Sequence, residues 1–407
     1  MLQQSSALDR IRRLLERFLA CAEEGRNRER RARWEGWFAD GIDQWRGVPL
    51  DAGQGRAPMV IDLQMNAWRK LLGFDMEEYY QDPVVFLENY LTIQLKRYEM
   101  FDDDYYLSPH IRLYMGAAFE ITLLGGKAIF SSEEDPWPDT KVVVETVEDI
   151  EAIRESKAFA AGFQDSGLMP MARRMYDGVS QLLAASGFGA EFQVRFPLWI
   201  RGPFGVAVYL AGFNQVLTAM MVDPDFMHRL MRLVTDARKR WYEETFGKDG
   251  VGSVGGYLFN DEVNCPCLSP ALYEEFVLPY EKELCDFHRG LDYWHSCGNV
   301  TQLLPLIAQI PQIKMLHVGP WTDMGEAARI FGQRSKLEIC PNPEKRILQA
   351  SRQETEAYAQ QVKETVGTDG DKGYYLRASG LMFRDEPDEV LAKVKLWNRT
   401  MVDSLGR

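Results

Sequence analysis

Apolar and polar positions follow two alternating periods along the second half of the chain. Short apolar runs of strand length recur, and each is followed by a longer segment whose apolar residues repeat every three or four positions. The strand candidates from residue 190 onward are EFQVRF, GGYLFND, LDYWHS, IKMLHVG, SKLEIC and GYYLRASG. Strands that alternate with helices predict an α/β fold with a parallel sheet and crossover helices. About five regular units after residue 250, without a GxGxxG loop, favour a (β/α)8 TIM-like barrel over an open Rossmann sheet.

The N-terminal part of the chain has a different pattern, with helical and irregular segments rather than strands. One face of its first helix is apolar and carries Leu8, Ile11, Leu15, Phe18 and Leu19. We therefore predict a mostly helical N-terminal extension over residues 1–125 that packs on a (β/α)8 barrel formed by residues 126–407. The stretch FDDDYY at 101–106 is predicted to be a solvated loop.

Composition and charge restrict the classes of partner. The net charge is −13 and the pI is about 5.1, which argues against nucleic acid because phosphate binding requires concentrated positive charge. Arginines cluster near the N-terminus, at positions 26, 28, 30, 31 and 33. We interpret this cluster first as a solvated helix face and second as a docking patch for an acidic partner.

Two further features of the sequence bear on its compartment. No apolar run reaches the ~18–20 residues of a membrane span, and the N-terminus lacks the order of charged, apolar and small residues of a signal peptide. The expected location is therefore cytoplasmic, with no membrane partner. The six cysteines should then be reduced, and their spacing matches neither a disulfide framework nor a paired CxxC zinc finger.

Polar side chains suited to catalysis or metal binding fall at the ends of successive predicted strands. They are Asp261 and Glu262, His295 and Cys297, His317, and Cys340. The carboxyl ends of barrel strands face one mouth, which is where the active sites of such barrels lie. His295 and Cys297 are two apart on a strand, so they point to the same side. One histidine and two cysteines with an open or carboxylate fourth position suit zinc, which prefers nitrogen and sulfur ligands.

Two other interpretations of His295 and Cys297 stay open at this point. They are buried strand-end residues with ordinary hydrogen-bond partners, or they belong to a closed structural zinc site. Structural sites usually take four Cys or His ligands, often in CxxC pairs on loops. Ligands drawn from several strand ends favour an open, reactive site instead.

A family resemblance rests on HSCGN at 295–299, preceded by PYEKELCDFHRG at 279–290 and followed by the late Cys340. These residues resemble the uroporphyrinogen decarboxylase superfamily and, within it, the zinc-dependent branch of corrinoid methyltransferases. The long N-terminal region and the 10 Trp, 17 Tyr and 21 Phe favour the O-demethylases within that branch. The resemblance extends from RGPFGVAVYLAG at 201–212 to LEICPNP at 337–343, and it is weak in the first 120 residues. It implies a distorted (β/α)8 barrel with zinc at its carboxyl-end mouth.

The resemblance also implies roles for individual residues. The zinc ligands would be His295, Cys297 and Cys340. Glu262 is the candidate for a nearby catalytic carboxylate or fourth ligand. His317 is the second catalytic candidate, as a hydrogen-bond partner of the substrate.

The implied function is transfer of a methyl group from a small O-methylated substrate, such as an aryl methyl ether, to the Co(I) cobamide of a corrinoid protein. Zinc would stabilise the departing phenolate as a Lewis acid. The stretch DFHRG at 286–290 departs from the cobalamin-binding pattern DxHxxG, because its glycine comes one residue too soon. A separate corrinoid protein that docks over the barrel mouth is therefore the expected partner, and the sequence leaves a homodimer open.

Three alternatives remain for the function. The first is the reverse direction, in which methylcobamide donates its methyl group to a thiol. The second is a decarboxylase of an acidic tetrapyrrole, but its N-terminal signature of the type MRQAGR is missing, and Arg195 and Arg201 are the arginines available near the first barrel strands. The third is a binding protein that holds a corrinoid protein or zinc without turnover.

Overall fold

The computed structural model describes residues 2–35, 56–367, 373–383 and 386–406. The strands are β1 Met59–Leu63, β2 His110–Arg112, β3 Ala128–Ile129, β4 Trp137–Pro138, β5 Gln193–Arg195, β6 Tyr257–Phe259, β7 Tyr293–His295, β8 Met315–Val318, β9 Lys336–Ile339 and β10 Tyr374–Leu381. The α-helices are α1 Leu2–Ala22, α2 Gly25–Glu35, α3 Met65–Leu72, α4 Met76–Gln81, α5 Pro83–Met100, α6 Phe119–Leu123, α7 Val147–Arg154, α8 Lys157–Ala161, α9 Met169–Ala185, α10 Pro203–Ala211, α11 Phe213–Val222, α12 Pro224–Phe246, α13 Pro270–Phe276, α14 Leu278–His288, α15 Leu304–Ile307, α16 Met324–Phe331, α17 Arg352–Val366 and α18 Pro387–Leu405. Short 3₁₀ turns cover Phe163–Asp165, Val251–Ser253 and Thr301–Leu303, and a π-helix covers Pro343–Leu348.

The main sheet is parallel and has the strand order β1-β10-β9-β8-β7-β6. A parallel bridge from Arg201 to Phe259 continues this sheet beyond β6, and β5, which lies just before Arg201, pairs in parallel with β2. Helices follow the strands as crossovers, as parallel pairing requires. The eight strands outside the small β3–β4 ladder thus confirm the predicted α/β class and its barrel arrangement.

The first strand of the sheet lies earlier in the chain than predicted. Strand β1 pairs with β10, with Met59 opposite Leu376, whereas the sequence pattern predicts a helical extension over residues 1–125. The barrel therefore begins within that segment, at β1, and not at the predicted boundary of 125/126. The apolar face of α1 does pack inward, since Ile11, Leu15 and Phe18 are buried.

The acidic stretch at 101–106 is not the solvated loop that its composition predicts. Asp103 and Asp104 are buried, because they accept hydrogen bonds from the backbone N–H groups of Ile61 and Met59, each at 2.8 Å. Asp104 also pairs with Arg56 at 2.5 Å. The stretch therefore anchors the beginning of β1.

The arginine cluster also differs in part from a solvated face. Arg28 and Arg31 are exposed, whereas the Arg30 guanidinium is buried and donates to the carbonyls of Phe101 and Tyr105, each at 2.8 Å. Burial lowers the pKa of Arg30, and Asp103 opposes this shift. Arg30 thus ties α2 to the acidic stretch and cannot belong to a docking patch.

Helix starts follow the capping residues of the sequence. The side chains of Asp223, Ser269 and Asp323 accept hydrogen bonds from the first turns of their helices. The helical segment after Ser269 is divided into α13 and α14, because Pro279 has no N–H to continue the ladder of helical hydrogen bonds. Among the described residues no single helix is long and apolar enough to cross a membrane, and only the consecutive α10 and α11, bent by 106°, pass that test together.

Candidate metal centre

Three side chains from the ends of β6 and β7 meet at the carboxyl edge of the sheet. His295 is the last residue of β7, and Cys297 lies two positions further along the chain on the same side. His295 Nε2 is 3.2 Å from Cys297 Sγ and 3.1 Å from Asp261 Oδ1. One ligand atom from each residue lies within 4.8 Å of the other two. Asp261, His295 and Cys297 therefore form one cluster, which we call the mouth group.

The mouth group is closed on one side and open on the other. His295 is only 8% exposed, whereas Cys297 is exposed and the Asp261 side chain retains 40% of its accessible surface. The histidine is thus held by the protein interior, and the thiol and carboxylate face the mouth of the barrel. This is the arrangement of an open site rather than of a closed structural one.

The contact between His295 and Asp261 sets the charge of both groups. Burial on its own lowers the pKa of His295, but the Asp261 carboxylate outweighs burial and raises the pKa of His295 to about 10. Burial on its own raises the pKa of Asp261, and the charge and hydrogen bond of His295 lower that pKa well below its usual range. At neutral pH His295 therefore carries a proton on Nε2, between Asp261 Oδ1 and Cys297 Sγ. A cation bound by these three atoms would occupy the same place. A metal ion would replace this proton.

A second cluster of buried ligand atoms lies behind His295. His295, His317 and Glu338 each offer one ligand atom within 4.8 Å of the others, because His317 on β8 stands in register with Glu338 on β9. The His295 and His317 rings have centroids 4.0 Å apart. Burial, with a further contribution from His295, lowers the pKa of His317 well below its ordinary value. His317 is therefore neutral, and its Nδ1–H donates to the Ser296 carbonyl at 2.8 Å.

Tyr293 connects His295 with Glu338. Its hydroxyl donates to Glu338 Oε1 at 2.5 Å and lies 3.1 Å from His295 Nδ1. Because a hydroxyl has a single proton, it accepts a hydrogen bond from His295 Nδ1–H. This contact holds the proton of a neutral His295 on Nδ1 and leaves the lone pair of Nε2 for a ligand.

Cys340 lies outside the mouth group. Its buried thiol donates to Glu338 Oε1 at 3.8 Å and accepts from the Ser379 hydroxyl at 3.7 Å. Burial, followed by the Glu338 charge, raises the pKa of Cys340 well above its ordinary value, and Cys297 contributes in the same direction. A role of Cys340 as third zinc ligand stays a prediction, which requires loss of the thiol proton.

Glu262 also takes a different position from the predicted one. The carboxylate beside His295 is that of Asp261, whereas Glu262 is buried and pairs with Arg201 at 2.5 Å. The Gly205 position leaves room for Glu262, since a Cβ there would lie 2.3 Å from Glu262 Oε2. The carboxylate in the mouth group thus belongs to Asp261, the residue that precedes the predicted Glu262. The catalytic roles of Glu262 and His317 stay predictions.

The donor atoms of the mouth group fit a zinc ion. Nitrogen, thiolate and carboxylate ligands at tetrahedral zinc lie about 3.4–3.6 Å apart, given Zn–N and Zn–O bonds of about 2.1 Å and a Zn–S bond of about 2.3 Å. The separations of 3.1 and 3.2 Å around His295 Nε2 are shorter by a few tenths of an ångström. Small outward shifts of the two partly exposed side chains would therefore admit the ion.

A large cavity adjoins the metal centre. It has a volume of about 1060 Å³ and is lined by residues of β1, β2, β5, β6 and β10. Two of its lining residues contact His295 or Glu338. The Phe259 ring packs 4.9 Å from the His295 ring, and Arg377 Nη1 lies 3.5 Å from Glu338 Oε1. None of Asp261, His295 and Cys297 is among the lining residues, so the cavity is connected to the metal centre through Phe259 and Arg377.

Several residues of the site carry only a weak signal in the sequence. Asp261 is one of the strand-end candidates of the sequence analysis, although Glu262 was assigned the role. Glu338 precedes Cys340 by two positions, so strand alternation places Glu338 and Cys340 on one side. Tyr293 likewise precedes His295 by two positions. Alternation from His295 and Cys340 would have found Tyr293 and Glu338, but not their partners on other strands.

Comparison with known proteins identifies a family, a curated relative and a structure of similar fold. The family model described as uroporphyrinogen decarboxylase (URO-D) matches residues 56–396. A methylated-thiol–coenzyme M methyltransferase of Methanosarcina mazei is 25% identical over 183 residues, which is 43% of this chain, and the match spans 45% of that relative's length. A solved structure of a methyltransferase from Methanosarcina mazei has a TM-score of 0.58 at 13% identity, covering 86% of this chain and 95% of that chain, which shows a shared fold. The chain belongs to the uroporphyrinogen decarboxylase family.

Proposed function

We propose that this protein is a zinc-dependent methyltransferase that moves a methyl group from a small O-methylated substrate to the Co(I) cobamide of a separate corrinoid protein. The observation that carries the proposal is the mouth group of Asp261, His295 and Cys297, whose donor atoms fit zinc at the open end of the barrel. Family membership and the methyltransferase name of one relative support it.

The residues around the centre have separable tasks in this proposal. When bound, zinc supplies a Lewis acid that stabilises the negative charge left on the oxygen as the methyl group departs. His295 is held on its far side by Tyr293, and Asp261 and Cys297 present their donor atoms to the mouth. Phe259 forms part of the wall beside His295 and excludes water from one side of the substrate.

A methylated thiol is the second candidate for the methyl donor. The relative from Methanosarcina mazei supports it, since its name describes a methyltransferase of methylated thiols. Zinc binds thiolates well, so a sulfur leaving group suits the same mouth group. The aromatic walls of the adjoining cavity favour the aryl methyl ether.

Tetrapyrrole decarboxylation has less support. The cavity has four arginines in its lining, but three acidic residues lie there as well. Arg201, one of the two arginines that the sequence offers for a basic cavity, is paired with Glu262. A substrate with many carboxylates would meet both charges, which disfavours it.

The proposal is tested by metal content together with methyl transfer. We expect close to one zinc per chain in the purified protein, and loss of most of it in His295→Ala and Cys297→Ser. Methylation of free cob(I)alamin by 4-methoxybenzoate or by methanethiol distinguishes the two donors. Cys21→Ser is the control, because that half-buried thiol lies on α1. Full zinc in both His295→Ala and Cys297→Ser would refute the metal centre, and no transfer from either donor would refute the activity.

A further inference from the structure

A second cavity lies at the carboxyl ends of β8 and β9 and shares no lining residue with the large cavity. It has a volume of about 400 Å³, which is within the range of pockets that hold small molecules. Val318, Ile339 and Cys340 are the strand-end residues of its lining, and uncharged polar side chains of the lining include Asn342, Gln361 and Thr365. The proposed methyl transfer does not use this cavity.

Two charged side chains line the second cavity, one of each sign. They are Asp323, which caps α16, and Arg346, which lies in the π-helix. Both are exposed, and in the part of the chain that the structure describes neither forms an ion pair with the other or with a third residue. The two charges are therefore available to a ligand in the cavity.

Tyr358 adds a hydrogen-bond donor beside Arg346. The Arg346 guanidinium lies over the Tyr358 ring, 5.2 Å from its centroid, and both residues line the cavity. Tyr358 is only 8% exposed, yet its hydroxyl has no hydrogen-bond partner among the described residues. Burial raises the pKa of Tyr358, and Cys340 contributes in the same direction, so the hydroxyl keeps its proton at neutral pH. A nearly buried donor of this kind favours a ligand that accepts its hydrogen bond.

Asp323 supplies the complementary acceptor. Its Oδ1 accepts a hydrogen bond from the Glu326 N–H at 2.8 Å, which caps α16. No described residue donates to its Oδ2. A carboxylate with one open oxygen can accept a charge-assisted hydrogen bond from an ammonium group. The cavity thus offers donors for an anion at Arg346 and Tyr358, and an acceptor for a cation at Asp323.

We propose that the second cavity binds a small zwitterion of the α-amino acid class. The ligand carboxylate would accept hydrogen bonds from Arg346 and Tyr358, and its ammonium group would donate to Asp323. An anion or a cation alone would leave one lining charge unmatched, whereas a zwitterion matches both. The uncharged polar groups of the lining favour an amino acid with a polar side chain. This site is distinct from the metal centre and does not depend on the proposed methyl transfer.

The first step of the test finds the ligand on the unsubstituted protein. Each standard amino acid is added at about 10 mM, and a rise in the unfolding temperature identifies those that bind the folded state. Titration calorimetry then compares the strongest binder with two analogues. Its carboxamide lacks the carboxylate charge, and its deamino acid lacks the ammonium group.

The two analogues should lose affinity to different extents. We expect the carboxamide to bind about tenfold more weakly, because it loses charge-assisted hydrogen bonds to two side chains, one of them nearly buried. We expect the deamino acid to bind about threefold more weakly, because water weakens an ion pair at the exposed Asp323. Both comparisons use the unsubstituted protein, so they do not depend on the folding of a variant.

Variants then locate the ligand within the molecule. Arg346→Gln and Tyr358→Phe should each reduce the preference for the amino acid over its carboxamide. Asp323→Asn should reduce the preference over the deamino acid and keep the start of α16, because asparagine caps helices as well as aspartate does. Arg352→Gln is the control, because Arg352 pairs with Glu356 on α17 and does not line the cavity; it should leave both preferences unchanged.

Three outcomes would overturn the proposal. They are no binding of any amino acid, equal binding of the amino acid and both analogues, and preferences that survive the substitutions at Arg346, Tyr358 and Asp323. Binding in this cavity requires neither zinc nor a methyl donor, so its failure is distinct from a failure of the methyltransferase activity.

Discussion

His295 has a different partner on each ring nitrogen, and this division explains how one residue can serve a metal site. Nε2 faces Asp261 and Cys297, whereas Nδ1 faces the Tyr293 hydroxyl. The Tyr293 hydroxyl in turn donates to the fully buried Glu338. The carboxylate, the hydroxyl and the imidazole thus form a chain that orients the ring from behind.

Tyr293→Phe should weaken zinc binding and leave the protein folded. The substitution removes the hydroxyl that accepts from His295 Nδ1, and outer partners of metal ligands are typically worth about 10–100-fold in affinity. We expect an increase of about tenfold in the zinc dissociation constant, measured by competition with a chromogenic chelator. Tyr273→Phe is the matched control, because its buried hydroxyl bonds Glu281 rather than a ligand. An unchanged constant in Tyr293→Phe would show that Tyr293 does not orient His295.

At the scale of elements, the acidic stretch at 101–106 joins α2, α5 and β1. Asp104 accepts from the Met59 backbone at the start of β1 and pairs with both Arg33 and Arg56. Asp102, two positions earlier, is 85% exposed and lies 3.5 Å from Arg26. Two aspartates that lie two positions apart therefore have opposite environments.

Asp104→Asn should destabilise the fold far more than Asp102→Asn does. The first substitution leaves the Arg56 guanidinium, of which only 11% is exposed, without its counter-charge, and breaking a buried pair costs about 3–5 kcal/mol. The second removes a surface ion pair worth roughly 0–1 kcal/mol. Urea unfolding measures both differences in the free energy of unfolding. Equal effects of the two substitutions would mean that the buried pairs contribute no more than the surface pair.

The limits of prediction at this scale have a physical cause. Strands and helices after residue 190 follow from local periodicity, and Asp223 and Ser269, which cap their helices, are of the residue types that favour helix starts. The burial of Asp103 and Asp104 depends on Arg56 and on backbone groups of β1, which lie more than 40 positions away in the chain. The local sequence of three aspartates therefore does not predict whether they are buried.

At the scale of the whole molecule, the barrel topology converts strand-end residues into one site. The alternation of strands and helices predicted that β6, β7, β8 and β9 would end at one edge, and the register confirms it. The proximity of His295 to Cys297 follows from their spacing on a single strand. The choice of Asp261 over Glu262, and the position of Glu338 between His317 and Cys340, depend on side-chain orientation across strands. Those contacts cannot be read from one sequence.

The global stability should depend on pH through Glu281, which joins α14 to β7 in the core. Glu281 is fully buried and accepts hydrogen bonds from Asn260, Tyr273 and Trp294. Burial raises the pKa of Glu281 from 4.5 to about 7, and the three hydrogen bonds only partly oppose this. The folded state therefore holds a proton that the unfolded state releases near pH 4.5, and the contribution of Glu281 to stability falls as the pH rises from about 4.5 to about 7.

Glu281→Gln should abolish this decrease in the free energy of unfolding with rising pH, because an uncharged amide keeps the size of the side chain and does not ionise. The difference in the free energy of unfolding between variant and unsubstituted protein should shift in favour of the variant by about 3 kcal/mol between pH 4.5 and pH 7, given about 1.4 kcal/mol per unit of pKa. Glu283→Gln on the same helix is the control. Arg232 and Lys239 outweigh burial and lower the pKa of Glu283, so its substitution should cost stability at neutral pH, a change of the opposite sign. Denaturant unfolding across this pH range measures both variants, and parallel curves for Glu281→Gln and the unsubstituted protein would show that Glu281 is ionised in the fold at neutral pH.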